Sequence, residues 1–357
     1  MTPPFQPRIL ERYIAIDHAC GWPNLTLLPD GDIAAAIWPE PCHGVWEGAA
    51  EVWGSSDGGR TWAKRGVPVP HDPGTNRMNL SAGLAHDGAL IAFVSGWNGR
   101  PPRPQRAKHA GCDTVPAVPA RSLDGGRTWT AGESPVAPAD EAHAPPTDGY
   151  GNPRRERPLM APFGDIWPLA DGTLGTMIYA GRANFYVSAD DGRTWTLRGA
   201  LGTFNGHNET TWLPLPDGRL LAAARTYGDH HLEQFVSDDL GRTWTFVQNL
   251  TGKGEHPAGL TPLADGALLL TYGIRTDPLF GIGAKLSRDS GATWSEPQLL
   301  VDLQASTNSH DPDPAHRDGG YPANVQLADG TIVTAYYCKG VDAHQRYHVG
   351  VLRWRLD

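Results

Sequence analysis

Asn208-Glu209, His256, Tyr321, Arg225 and Arg275 carry the most legible chemistry in this chain, and their spacing from a recurring pair groups them. An Asp-Gly pair flanked by apolar runs begins at Asp30, Asp87, Asp171, Asp217, Asp265 and Asp329. The residue eight positions before each Asp is Trp22, Asn79, Phe163, Glu209, Pro257 or Tyr321; one position earlier stand Gly21, Met78, Pro162, Asn208, His256 and Gly320. A purely structural repeat would carry similar residues in such a column. Here Asn79, Asn208, Glu209, His256 and Tyr321 are polar and mutually different. Arg225 lies eight residues after Asp217, and Arg275 lies ten after Asp265. A carboxylate, two guanidiniums, a phenol and an imidazole converging on one mouth describe a catalytic or ligand site. The competing reading is a solvated rim whose polar groups satisfy one another.

The elements that must position these groups follow from two repeats. Asp-Gly between β-like runs is the strongest short-range hairpin signal, and Leu27-Leu-Pro-Asp-Gly-Asp-Ile-Ala34 is a typical copy. The second repeat reads Ser-x-Asp-x-Gly-x-Thr-Trp and begins at Ser55, Ser122, Ser188, Ser237 and Ser287. Its Ser and Asp cap their own backbone in a tight turn, its Gly supplies a positive φ, and Thr-Trp opens a strand with a buriable ring. Identical copies of one turn staple a fold. A site needs different groups converging, so the repeated aspartates are read as structural.

Five hairpins are each followed by one such turn, and the sixth by His348-Val-Gly-Val-Leu-Arg-Trp-Arg-Leu356. A unit of this period predicts a propeller. The expectation is a single all-β domain over 1–357: a six-bladed β-propeller with four antiparallel strands per blade. Arg12-Tyr-Ile-Ala-Ile16 and the last strand are expected to close the ring together. Pro101–Pro119 and Pro135–Arg157, rich in Pro and charge, are expected as long surface-loop insertions. High counts of Gly (43) and Pro (32) suit many short strands and turns.

The Ser-x-Asp-x-Gly-x-Thr-Trp phrases resemble the Asp boxes of the sialidase superfamily, and the resemblance covers nearly the whole chain. Asn208-Glu209 followed by Leu-Pro-Asp-Gly and Arg225 is similar to the sialidase segment carrying a glutamate and the second arginine of a carboxylate-binding triad. Arg275 is placed like the third arginine. Gly319-Gly-Tyr321-Pro-Ala-Asn is similar to the segment carrying a nucleophilic tyrosine. The resemblance implies that Tyr321 attacks an anomeric carbon while Glu209 draws its proton. A phenol of pKa near 10 needs such a neighbour. Retention through a tyrosyl intermediate would follow.

Two departures shape the function expected. The first arginine is replaced by Gly21-Trp22-Pro23, so Arg77 or Arg182 is a candidate substitute and Trp22 a candidate platform for a sugar face. The loop expected to carry an aspartate acid/base reads Pro41-Cys-His43-Gly-Val-Trp-Glu47, leaving His43 or Glu47 for that role. The reading is a sialidase-like, exo-acting glycoside hydrolase that removes a terminal acidic or deoxy sugar from glycans. Its catalytic residues are Tyr321, Glu209, His43 and Glu47; its substrate-binding residues are Arg225, Arg275, Arg77, Asn79, Asn208, His256 and Trp22. A uronate-glycan lyase or rhamnosidase-type propeller using His, Tyr and Arg is a second reading, and a non-catalytic carbohydrate-binding propeller a third.

Net charge −9 argues against a nucleic-acid partner. No long apolar run suggests a membrane span, and Met1-Thr-Pro-Pro-Phe-Gln-Pro-Arg8 lacks a signal core, so the expected location is the cytoplasm, or outside it after signal removal. Four cysteines, Cys20, Cys42, Cys112 and Cys338, do not make a disulfide framework. His310-Asp-Pro-Asp-Pro-Ala-His316 fits no metal spacing, and no nucleotide-binding glycine loop occurs, so neither metal nor cofactor is expected.

Overall fold

The computed structural model describes residues 5–41, 47–97, 114–137, 160–304, 318–341 and 344–356. Every regular element among them is a β-strand, and the arrangement is propeller-like. The repeating unit is an antiparallel meander such as Gly21–Leu27, Ile33–Trp38, Glu51–Ser55 and Ala63–Gly66. Each Asp-Gly pair forms the turn between the first two strands of its meander. In the first, Gly31 N donates to Leu28 O at 2.9 Å, and Asp30 Oδ1 accepts from Asp32 N at 3.0 Å.

Four sheets are separate and four-stranded, rather than the six expected. The remaining long sheet has eight strands because two meanders are fused. Their first strands, Asn79–Leu84 and Ala161–Pro168, pair in parallel at Asp165↔Ala82 and Ile166↔Gly83. The reason is a close approach: a Cβ at Gly83 would stand 2.1 Å from the Ile166 carbonyl oxygen. Only a residue without a side chain lets these backbones meet.

The N-terminal strand Pro7–Asp17 pairs antiparallel with His344–Leu356, in one sheet with Ile332–Val341 and Gly319–Gln326. The first and last strands therefore share one sheet, with Pro7–Asp17 at its outer edge. The five Ser-x-Asp-x-Gly-x-Thr-Trp turns repeat one hydrogen-bond set. In the first, Ser55 Oγ donates to Asp57 Oδ1 at 2.8 Å, Gly59 N donates to Ser55 Oγ at 2.8 Å, and Thr61 Oγ1 donates to Asp57 Oδ2 at 2.7 Å. Each turn also docks on a neighbouring sheet. A Cβ at Gly59 would lie 2.9 Å from Val333 Cγ1 in the closing sheet, so this turn joins the first meander to the last.

One expectation needs correction. Pro101–Pro119 was expected as loop, yet Thr114–Ser122 is a strand paired with Leu90–Trp97. Its register shifts between Val115 and Val118, and Pro116 is exposed at that irregularity. A bulge is where a strand accommodates proline. Residues 101–113 and 138–157 of the two insertions lie outside the described residues.

The core lies between the sheets. Phe185 and Trp212, on adjacent meanders, meet edge to face with centroids 4.8 Å apart, and both are fully buried. Cys20 and Cys338 are fully buried, and Cys338 Sγ donates to Gly340 O at 3.4 Å.

Candidate active site

The site is built by irregularity. The innermost strands lose ladder register between Gly21 and Asn24, His207 and Thr210, Glu255 and Ala258, and Gly320 and Ala323. The freed residues are Trp22-Pro23, Asn208-Glu209, His256-Pro257 and Tyr321-Pro322. Antiparallel connectivity puts all four bulges at one end of the propeller, opposite the Asp-Gly and Ser-x-Asp turns. Bulges re-aim side chains next to active sites. Trp22 (φ 49°) and Tyr321 (φ 52°) both hold the left-handed conformation, an uncommon and strained state for large side chains.

Tyr321 is the hub. Its hydroxyl donates to Glu209 Oε1 at 2.6 Å. Arg225 Nη1 ion-pairs with Glu209 Oε2 and reaches the Tyr321 oxygen at 3.5 Å. Arg275 lies over the Tyr321 ring, 5.5 Å from its centroid, and its Nε donates to Gly319 O at 3.0 Å. Trp22 and Phe163 meet the same ring edge to face, at 6.1 and 6.0 Å. Burial and the Glu209 charge push the Tyr321 phenol well above its usual 10, against the pull of Arg225 and Arg275. Tyr321 is thus held as a neutral phenol beside an ionic pair.

A second layer surrounds this hub. His256 is buried, and its Nδ1 has no hydrogen-bond partner. His230 sits beside it, centroids 5.2 Å apart, with Nδ1 at 3.4 Å from Arg225 Nη2. Burial, then Arg225, lowers both imidazole pKa values, with Arg275 adding to the effect, so both rings are neutral at pH 7. On the other side, Asp318 accepts hydrogen bonds from the hydroxyls of Tyr337 and, at 2.6 Å, Tyr347. Burial pulls the Arg275 pKa down, but the Tyr337 and Tyr321 phenols and the Asp318 carboxylate leave it raised overall.

The residues singled out from sequence divide into groups. Tyr321, Glu209, Arg225, Arg275 and Trp22 come together, and His256 packs beside them through His230 and the arginines. Asn208 is buried, and its Oδ1 accepts from Glu209 N at 2.7 Å, so it shapes the bulge that presents Glu209. Asn79 stays in its ladder and donates to Ser95 Oγ at 3.2 Å. Arg77 is buried, and its Nε donates to Pro70 O at 3.0 Å and its Nη1 to Pro116 O at 3.3 Å, tying loops together. Glu47 is exposed, with Oε1 at 3.4 Å from His71 Nε2. His43 lies outside the described residues. Among the described residues, no cluster of His, Cys, Asp or Glu is placed to hold a metal ion, and no helix is long and apolar enough to cross a membrane.

Phe163, Tyr337, Asp318 and His230 were missed. Two of them had a signal. Phe163 stands in the same column as Trp22, Glu209 and Tyr321, and Tyr337 lies eight residues after Asp329, the offset that marks Arg225 after Asp217. Asp318 and His230 sit in connecting segments that no repeat indexes.

Residues 47–334 match the model of the BNR repeat-like domain. No curated protein matches the sequence. Among solved structures, a protein of unknown function from Dyadobacter fermentans is similar over 98% of this chain and 99% of its own, at 21% identity and TM-score 0.74. A Hadza microbial sialidase is similar at 18% identity and TM-score 0.69, over 95% of this chain and 66% of its own. Trypanosoma rangeli sialidase, in complex with 2,3-difluorosialic acid as a covalent intermediate, is similar at 16% identity and TM-score 0.63, over 95% and 54%. At these identities the likeness establishes a shared fold, and the chain spans about half to two thirds of those sialidase chains.

Proposed function

The chain belongs to the BNR repeat-like domain family, with a sialidase-like fold, and from that premise we propose that it is an exo-acting glycoside hydrolase removing a terminal acidic or deoxy sugar from glycans. The observation that carries this reading is the Tyr321–Glu209 hydrogen bond of 2.6 Å, bracketed by Arg225. A neutral phenol on a buried, ion-paired carboxylate is an arrangement for moving one proton. Glu209 accepts the phenolic proton as the Tyr321 oxygen forms a bond to the anomeric carbon. The glycosidic bond breaks, and its oxygen takes a proton from an acid, for which His43 and Glu47 are the candidates. Water, deprotonated by the same group, then displaces Tyr321, which recovers its proton from Glu209. Two displacements retain configuration. Arg225 stabilises the phenolate as it forms. The same reading counts the eight-stranded sheet as two blades, making six around one channel.

The test is release of fluorophore from a panel of aryl α-sialosides, β-glucuronides and neutral deoxyhexosides, with wild type beside Tyr321→Phe. Release that vanishes in the variant supports the proposal. No Tyr321-dependent release from any glycoside ends it. Appearance of an unsaturated uronate by ultraviolet absorbance would move the chemistry to elimination.

A further inference from the structure

Proton transfer to the glycosidic oxygen, and later from water, needs an acid/base group. His43 and Glu47 are the candidates that the loop before the first Ser-x-Asp turn supplies, and Glu47 is exposed beside His71. The structure places another titratable group at the hub itself. Glu209, Arg225, Tyr321 and His256 are buried, whereas His230 beside them is partly exposed. Its imidazole therefore meets solvent, or a ligand, while it touches Arg225. Arg225 spans two groups: Nη1 lies 3.5 Å from the Tyr321 oxygen, and Nη2 lies 3.4 Å from His230 Nδ1. Phenol and imidazole are thus neighbours across one guanidinium without touching, as a nucleophile and an acid/base must be to admit a sugar carbon between them.

The segment that carries His230 holds it there. Its backbone is left-handed, at φ 59°, an uncommon state for a residue with a side chain. Such strain persists only where surrounding contacts over-determine it, and it gathers at functional sites. Here Thr226 Oγ1 accepts from His231 N at 3.2 Å, His231 Nδ1 contacts Asp229 Oδ1, and Gly254 N donates to Asp229 O at 3.0 Å. The two ring nitrogens of His230 then divide their work. A guanidinium cannot accept and a carbonyl only accepts, so a proton on Nδ1 is held by Thr226 O, at 3.3 Å. Nε2 makes no hydrogen bond among the described residues, and it is the nitrogen free to exchange a proton with a ligand.

We propose that His230 is the acid/base of the hydrolase, working through Nε2 in place of His43 or Glu47. This rests on the hydrolase reading. As the imidazolium, His230 gives its Nε2 proton to the glycosidic oxygen as that bond breaks; the Tyr321 oxygen bonds to the anomeric carbon, and Glu209 takes the phenolic proton. As the imidazole, it takes a proton from water while the water oxygen displaces Tyr321, and Glu209 returns the proton to the phenol. Every group ends as it began. The charged and titratable groups facing His230 from the packed strands are Arg225, Glu209, Arg275 and His256. Burial, then Arg225, lowers its pKa below 6.5, with the Thr226 carbonyl and Glu209 opposing. The imidazolium is the scarcer form at pH 7, so the first step quickens toward acid.

The experiment is kcat/KM against pH for the glycoside that the aryl panel identifies, as its methylumbelliferyl and dinitrophenyl derivatives, in wild type, His230→Gln and His231→Gln. With the methylumbelliferyl leaving group, wild type is expected to lose about tenfold per pH unit above a pKa that lies below 6.5. His230→Gln is expected to lose that slope and about a hundredfold in rate. Its loss with dinitrophenyl, which departs without a proton, is expected to be much smaller. Azide, which needs no base, should raise the variant's turnover of the dinitrophenyl glycoside and appear in the product as a glycosyl azide. His231→Gln disturbs the same segment but leaves the ring at Arg225, and it should keep the slope. A slope and rate in His230→Gln close to those of wild type overturn the proposal and leave the hydrolase standing. Equal losses with both leaving groups and no azide rescue, the pattern of a structural role, also overturn it. If His230→Gln does not fold, the wild-type profile decides, and a kcat/KM that is flat from pH 7 to 5 overturns the proposal. No Tyr321-dependent release from any glycoside ends the hydrolase reading and this assignment with it.

Discussion

The Tyr321 hydroxyl donates a 2.6 Å hydrogen bond to Glu209 Oε1 across 112 positions of sequence, and Arg225 holds the other carboxylate oxygen. The contact exists because the strands His207–Pro214 and Gly319–Gln326 bulge at the same end of the propeller. Removing one charge from a buried ion pair leaves the other uncompensated. Glu209→Gln is therefore expected to lose about 3 kcal/mol of stability. Adding Arg225→Met to that variant should recover a large part. Denaturant unfolding of the two single variants and the double variant measures the coupling.

Tyr321→Phe should separate chemistry from folding. It removes one buried hydroxyl, which is expected to cost about 1 kcal/mol. Turnover, if the phenol is the nucleophile, is expected to fall by about a thousandfold or more. Initial rates and thermal melting on the same preparations check both halves.

Asp165 lies where inner strands meet. Asn24 Nδ2 donates to its Oδ1 at 3.1 Å, and Thr211 Oγ1 donates to its Oδ2 at 3.2 Å, while Asn24 Oδ1 has no hydrogen-bond partner. Burial raises the Asp165 carboxyl to about 7 from 3.8, against the opposing effect of those two hydrogen bonds. Between those values the folded state keeps a proton that the unfolded chain releases. Stability from this group is thus present at low pH and lost as pH rises through about 7. Asp165→Asn should remain neutral, and its amide can donate to Asn24 Oδ1. Melting temperatures should show a gain over wild type that is larger at pH 8 than at pH 4.

The Ser-x-Asp-x-Gly-x-Thr-Trp turns carry the opposite slope. Burial pushes the Asp190 carboxyl up, but the Thr194 hydroxyl and amide and the Ser188 hydroxyl overcome it and hold the pKa at about 2. Asp239 is held at about 2 in the same way by Thr243 and Ser237. A depressed carboxylate contributes stability above its unfolded value of 3.8, and this is lost as pH falls toward about 2. Asp190→Asn should cost about 1–2 kcal/mol at pH 7 and flatten the acid limb of the unfolding curve. Ligand binding should be unchanged, because the turn lies at the other end of the propeller.

His256 gives a pH signature to the site. Its imidazole is lowered well below 6.5, by burial and then by Arg225 and Arg275. The unfolded chain takes up a proton near 6.5 that the folded state refuses, so this stability is full above 6.5 and is lost as pH falls below it. His256→Asn should remove that slope. Melting curves from pH 7 to 5 would show the variant and wild type converging toward acid. Parallel curves would contradict the shift.

Much of this was legible because repeats index the chain. The six Asp-Gly turns located the first two strands of each meander, and the column before them contained Trp22, Glu209, His256 and Tyr321 together. The same index, applied evenly, would have reached Phe163 and Tyr337. Arg77 and Asn79 make hydrogen bonds that the index does not foretell. Their polarity invited a site role, but Arg77 ties loop carbonyls together and Asn79 remains in a regular ladder without a bulge. Asp318 and His230 escaped because they precede or follow strands in segments of variable length. Only the hydrogen bonds of Tyr337 and Tyr347 to Asp318, and the contact of His230 with Arg225, give them meaning.

By itself the sequence determined the β architecture, the turn chemistry and the shared strand ends of the chemically distinct residues, because hairpins and capped turns are local and are written in adjacent residues. Tertiary structure alone decided three things. It fused two meanders through the close approach at Gly83, it matched Glu209 with Arg225 and Tyr321, and it set Asp318 against Tyr337 and Tyr347. Each joins residues of different strands or segments, and its energy depends on burial and distance, which no single segment encodes.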